Sequence, residues 1–361
     1  MKRIAWILLL AVAACARPEP ALGLLVSTSG TLADMGAEVL HGWQLALEDV
    51  PAAKRPHSFQ IDAGSSAVSA VRAYHELVDQ GATLVLGPLT TDQAVAVAEA
   101  ARERRVPFVT PTATGDEVTR DNRWAFRTCA ADRDVAKALA LFARFELQLA
   151  RLVVVVDLSS RWSVGLGQAF ADAFRQRNGR VVETVAFAPT LGGQSTLLED
   201  LAQVDAEGVL LAVRHDALMP ALRGASEATL AKFVLLGVDG WQGPGLAEEL
   251  AGRARGAYVA RHFSTQEPGA ADFIAKHREA FDELPGDPAA LTYDAARMLL
   301  GLWSPEANPD ALRRALLEQH HVPGVTGTVR MASDGSPNAK SIVLEQLHDP
   351  ARSRFLRRLA D

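Results

Sequence analysis

The stretch Thr83-Leu84-Val85-Leu86-Gly87-Pro88-Leu89-Thr90-Thr91-Asp92-Gln93 leads into an alanine-rich run that ends in Val106-Pro107-Phe108-Val109-Thr110-Pro111-Thr112-Ala113-Thr114. Thr83 to Leu86 is an apolar run of strand length, Asp92 to Arg104 carries a helix, and Val106 to Thr110 is strand-like again. Thr90 and Gln93 have the spacing of a capping box at the helix start. Strand, helix and strand in so short a segment make a βαβ unit, whose strands run parallel.

The alternation continues in both directions. Upstream, Leu22 to Ser27 and Phe59 to Asp62 read as strands and Gly36 to Val50 and Ala67 to Gln80 as helices, so one α/β lobe is complete by about residue 128. Downstream, a helix over Asp132 to Leu149 precedes Leu152-Val153-Val154-Val155-Val156, a run apolar enough to be buried on both sheet faces. Helices over Val164 to Arg177, Ser195 to Gln203, Ala217 to Ala225 and Gly245 to Gly252 then alternate with strands over Val181 to Phe187, Gly208 to Val213, Phe233 to Leu236 and Ala257 to Ala260. Three more helices (Gly269 to Phe281, Pro288 to Trp303, Pro309 to Gln319) and two strands (Gly327 to Met331, Ser341 to Gln346) follow, with an Asp334-Gly335 turn between the strands. The expected fold class is α/β: two doubly wound parallel-sheet lobes.

The 361 residues are 48% apolar and 22% charged, which excludes disorder, collagen and a disulfide scaffold and allows about two domains. The net charge of −6 excludes a general nucleic-acid footprint. Lys2-Arg3 precede an apolar run from Ile4 to Ala14, too short for a bilayer, which needs about 20 residues. Val12-Ala13-Ala14-Cys15 resembles a bacterial lipobox. Residues 1–14 are therefore expected to be a lipoprotein signal peptide, Cys15 the lipidated residue, and residues 15–20 a tether on the exported chain. An acylated Cys15 leaves Cys129 unpaired, so no disulfide is expected and Cys129 reads as a buried, inert thiol.

No G-x-S-x-G, H-E-x-x-H, C-x-x-C or Walker A motif is present, and His320-His321 point to different helix faces, so neither metal nor cofactor is expected. Gly165-Leu166-Gly167 lacks the third glycine of a dinucleotide fingerprint and reads as helix packing. The informative residues follow the strands, where open parallel sheets place ligands. The helix start after Gly87 and the hydroxyls of Thr90 and Thr91 suit a carboxylate, as does the segment from Thr110 to Thr114; simple capping is the competing reading. Trp162 offers an apolar wall or ordinary core packing. Asp239, in the turn Gly237-Val238-Asp239-Gly240, could meet an amine or simply make the turn. Arg214 is a weaker candidate, a solvated salt bridge being its alternative.

As an ordered set, Leu24-Leu25-Val26-Ser27-Thr28-Ser29-Gly30, Gly87-Pro88-Leu89-Thr90-Thr91, Val106 to Thr114, Phe126-Arg127-Thr128, Tyr293-Asp294-Ala295 and Gly324-Val325-Thr326-Gly327-Thr328 resemble the substrate-binding proteins of branched-chain amino-acid ABC transporters. The resemblance covers essentially the whole mature chain. It implies a type I periplasmic-binding fold with three crossovers and a ligand cleft: residues 21–128 and 261–335 in the first lobe, 129–260 and 336–361 in the second. By position it implies that Thr91, Thr112 and Thr114, with backbone from Ala113, hold the ligand carboxylate, that Asp239 meets its ammonium and that Trp162 forms an aromatic wall. Met35 departs from a frequent aromatic residue, Pro51 to Ser65 is short and lacks an acidic cluster, and Arg214-His215-Asp216 is more charged than aliphatic ligands suggest.

These observations lead to an extracytoplasmic solute-binding lipoprotein without catalysis. It captures an amino acid or related amine/carboxylate compound for an ABC permease and ATPase, with the lipid anchor its membrane contact and no nucleic-acid partner. A protein of the same fold that regulates a peptidoglycan synthase from the outer membrane is the alternative, and Ala16 after Cys15 is compatible with that sorting. A hydrolase lacks a pairable nucleophile and base.

Overall fold

The computed structural model describes residues 19–187, 196–242, 245–250, 253–349 and 352–359. The expected signal peptide, Cys15 and most of the expected tether lie outside them, as do Ser195 and Gly252 at the edges of expected helices. All six residues of β1 (Ala21–Val26) are buried because alternate side chains enter different cores: Leu22, Leu24 and Val26 one, Leu25 the other. It pairs in parallel with β2 (Ser58–Asp62) and β3 (Ala82–Leu86), and β4 (Phe108–Thr110) and β5 (Ala125–Arg127) complete a sheet of order β2-β1-β3-β4-β5. Helices α2 (Ala67–Asp79) and α3 (Thr91–Arg104) cover one face, and α1 (Ala33–Glu48) covers the other.

The valine run forms β6 (Arg151–Asp157), where Leu152, Val154 and Val156 enter one core and Val153 and Val155 another. With β7 (Arg180–Phe187), β8 (Gly208–Ala212), β9 (Val234–Gly237), β10 (Gly256–Arg261), β11 (Ile342–Asp349) and β12 (Arg352–Leu359) it builds a second sheet of order β12-β11-β10-β9-β8-β6-β7. One face carries α4 (Asp132–Leu141) and α5 (Arg161–Arg175). The other carries α6 (Leu197–Leu201), α7 (His215–Gly224), α8 (Glu227–Lys232) and α9 (Leu246–Leu250). After β10 the chain returns to the first sheet, where α10 (Ala271–Phe281), α11 (Asp287–Leu302) and α12 (Pro309–Leu317) join the core of α1, before β11 goes back to the second. The chain thus passes between the sheets three times.

Three expectations are corrected. Gly327 to Met331 is not a strand: Asp294 takes the N–H groups of Val325 and Thr326 at 2.8 Å each, and only isolated bridges, Val322 with Val329 and Met331 with Pro337, remain. The helix expected to reach Leu149 leaves α geometry at Leu141 and ends in a π-helical turn, Phe142–Glu146. The sheet also ends in β12, antiparallel to β11, which the arginine-rich sequence did not suggest.

Candidate functional site between the lobes

Gly87 has φ +107, and a Cβ there would lie 2.1 Å from the Leu25 carbonyl oxygen, so glycine alone lets the chain leave β3 this close to β1. The next residues start α3, where Thr90 Oγ1 accepts from Gln93 N at 3.4 Å. Thr91 is 2% exposed and its Oγ1 accepts from Gly115 N at 3.0 Å. Since a hydroxyl has one proton and two lone pairs, its O–H stays available to donate. In the facing loop, Thr112 Oγ1 donates to Leu89 O at 2.6 Å and ties loop to loop, while Ala113 N donates to Thr110 Oγ1 at 3.0 Å within its own loop. Thr114 is different: it is buried and its Oγ1 lies beside the Asp132 carboxyl instead of bonding within the loop. Its carbonyl is held by Asp132 N at 2.9 Å and by the guanidinium of Arg127, which also donates to Ser336 Oγ at 2.9 Å.

The second sheet contributes acids. Asp132, at the first position of α4, is 2% exposed, and its Oδ1 has no partner. Burial, and then the charge of Asp239, hold its carboxyl well above the ordinary range. Asp239 lies in the turn after β9; its Oδ1 is buried and unpartnered, and its Oδ2 is 3.7 Å from His262 Nε2. Both ring nitrogens of His262 also lack hydrogen bonds. Trp162, in the first turn of α5, lies over Gly240, where a Cβ would come within 2.5 Å of Cη2 of the indole. Buried Asp132 and partly exposed Asp239, each with a free oxygen, call for a cation; the Thr91 hydroxyl can donate to an anion, while the Thr114 hydroxyl lies beside the Asp132 carboxyl.

Ion pairs join the elements around these residues: Arg161 of α5 meets Asp92 of α3 at 3.6 Å, and Arg133 pairs with Asp116. These exposed pairs contribute little energy, but they show the two helix starts in register. Behind the cleft, buried Asp287 accepts from His262 N at 3.3 Å, Phe263 N at 3.2 Å and Gln242 Nε2 at 3.1 Å, tying the second crossover to both lobes. Arg214 stands apart from the acids: its side chain is 44% exposed and pairs with Asp216 at 3.3 Å, although the neighbouring His215 N donates to Gly240 O at 2.8 Å. Cys129 is buried, which pushes its thiol up to about 12 and leaves it unreactive. The sequence reading had not singled out Asp132, His262, Gln242 or Asp287.

The chain is 29% identical over 244 residues to Leu/Ile/Val-binding protein homolog 3 of Brucella melitensis, an alignment covering 62% of this chain and 65% of that protein. The chain thus spans less than two thirds of the length of the curated relatives it matches. Among solved structures, the leucine binding protein LivK of Thermotoga maritima superposes with a TM-score of 0.85 at 23% identity, covering 94% of this chain and 98% of the other. A solute binding protein of R. palustris in complex with 4-hydroxybenzoate gives a TM-score of 0.84 at 16% identity, covering 95% and 98%. These likenesses establish the type I periplasmic-binding fold. With residues 20–348 matching the family described as Periplasmic binding protein, the chain belongs to that family.

Proposed function

We propose that the protein is the substrate-binding component of an ABC importer, that its ligand is a zwitterionic amino acid or close amine/carboxylate analogue, and that it performs no catalysis. The observation that carries the reading is the pair of incompletely bonded carboxylates, buried Asp132 and mostly covered Asp239, together with the buried hydroxyls of Thr91 and Thr114. The ligand's carboxylate meets the threonines and the start of α3, its ammonium meets the acids, and its side chain lies along Trp162. Thr112 and Ala113 shape the carboxylate loop, and Arg214 acts at the rim. The leucine-related names of the relatives support this class.

The lobes, residues 21–128 with 261–335 and residues 129–260 with 336–361, close on the ligand because it touches both. The closed form is what the permease and ATPase complex recognises. The protein works outside the cytoplasm, held to the membrane through Cys15. An aromatic acid is the second reading, favoured by the flat face of Trp162 and the 4-hydroxybenzoate in one solved relative. A thermal-shift panel of L-amino acids, their amides and benzoates tests the choice, since a ligand at 100 times its Kd stabilises by about 2.7 kcal/mol. A shift with an amino acid supports the proposal; shifts confined to benzoates overturn it.

A further inference from the structure

On the first lobe, α1 brings His41 to His277 of α10 and Glu283 of the turn after it, two residues far from His41 in sequence. One donor atom of each lies within 4.8 Å of the others. His277 is fully buried, and its Nδ1 is 3.0 Å from the Glu283 carbonyl oxygen. A carbonyl only accepts, so Nδ1 carries the proton and Nε2 presents a lone pair; that Nε2 is buried and has no partner. His41 Nδ1 is 3.1 Å from Glu283 Oε1, yet the two do not align as a hydrogen bond. Two donors on one tetrahedral ion with bonds of ~2.0–2.1 Å stand about 3.3 Å apart, so this spacing is that of co-ligands.

The rings are held in place without the ion. His41 stacks on Phe281 at 3.8 Å between centroids, and His277 packs edge-on against the same ring at 4.9 Å. Glu38, one turn before His41 on α1, has a buried, unpartnered Oε2. Glu283 is half exposed, which leaves a way in from solvent.

We propose that His41, His277 and Glu283 bind one divalent transition-metal ion of the zinc type, with the fourth position open to water. Two imidazoles and a single carboxylate select such an ion over calcium or magnesium, which take oxygen donors. The ion clips α1 to α10 beside the turn that leads into Asp287, and so braces the first lobe where the second crossover is anchored.

The test is equilibrium dialysis of the metal-stripped, tag-free chain against Zn²⁺, with Co²⁺ absorption as a spectroscopic readout. One equivalent is expected to bind, with visible d–d bands for Co²⁺, and His41→Gln and Glu283→Gln should each weaken binding about tenfold or more. Both residues are accessible, so these variants avoid the folding risk of altering buried His277. Replacing both His320 and His321 with Gln should leave the equivalent in place. Absence of saturable one-equivalent binding, unchanged affinity in His41→Gln and Glu283→Gln, or loss of the equivalent in the His320/His321 variant would each overturn the proposal.

Discussion

Replacing Asp239 with Asn should move stability and affinity in opposite directions. The substitution keeps the size of the side chain and removes the charge of Asp239 beside the buried Asp132 carboxyl, each acid having an unpartnered oxygen. An asparagine stays polar, so the gain comes from relieving the repulsion between the two acids and is about 1 kcal/mol for the ligand-free variant at pH 7.5. At ~2–4 °C per kcal/mol, the melting midpoint should rise by a few degrees. Asp132 holds its proton to a higher pH in the folded chain than in the unfolded one, so native stability falls as pH rises above the ordinary carboxylate range. Asp239→Asn should flatten that fall. Binding should weaken by about 2–5 kcal/mol, roughly thirtyfold to a few thousandfold, because the ligand's ammonium loses a desolvated partner. Urea titrations without ligand, and calorimetry with the amino acid giving the largest thermal shift, measure the two halves. Unchanged affinity, or a ligand-free variant less stable than the parent, would refute the paired-acid reasoning.

Three further outcomes are expected. Gly240→Val places a side chain where Cβ alone would come 2.5 Å from the Trp162 ring, so the indole must shift; affinity should fall at least tenfold while first-lobe stability is unchanged, read by calorimetry and tryptophan fluorescence. Buried Lys340 has its pKa lowered from 10.5 to about 8, chiefly by burial, so the unfolded chain binds more protons between those values and native stability rises with pH by about 3 kcal/mol across that window. Lys340→Met should abolish that rise in urea titrations at pH 7.5 and 10. Cys15→Ser should move the exported protein from the detergent phase to the aqueous phase, and retention with membranes would disprove lipidation at this residue.

Strands whose two faces are both buried were legible, since β1, β3, β6 and β8 read as apolar runs. β5, three residues long, showed only as an apolar stretch before Cys129, and β12, which mixes four arginines with apolar side chains at a sheet edge where charge is tolerated, did not show at all. At the site, Thr91, Thr114, Trp162 and Asp239 stood out because they follow strands. Which hydroxyls remain free depends on contacts between residues more than twenty apart, Gly115 with Thr91 and Thr112 with Leu89, that no local pattern encodes. Asp132 escaped notice because an acid in the first turn of a helix has an ordinary explanation in the helix dipole. His41 and His277 meet only through tertiary packing of α1 on α10, which spacing along the chain does not reveal.

The central claim is that an ammonium group sits between Asp132 and Asp239 while a carboxylate sits on Thr91 and Thr114. Isothermal titration of the best-bound amino acid beside its des-amino analogue, with the same carboxylate and side chain, isolates the ammonium. The account predicts that the analogue binds at least thirtyfold more weakly, the lower end of the ~2–5 kcal/mol for a desolvated charge pair. Equal affinity of the two compounds would contradict it.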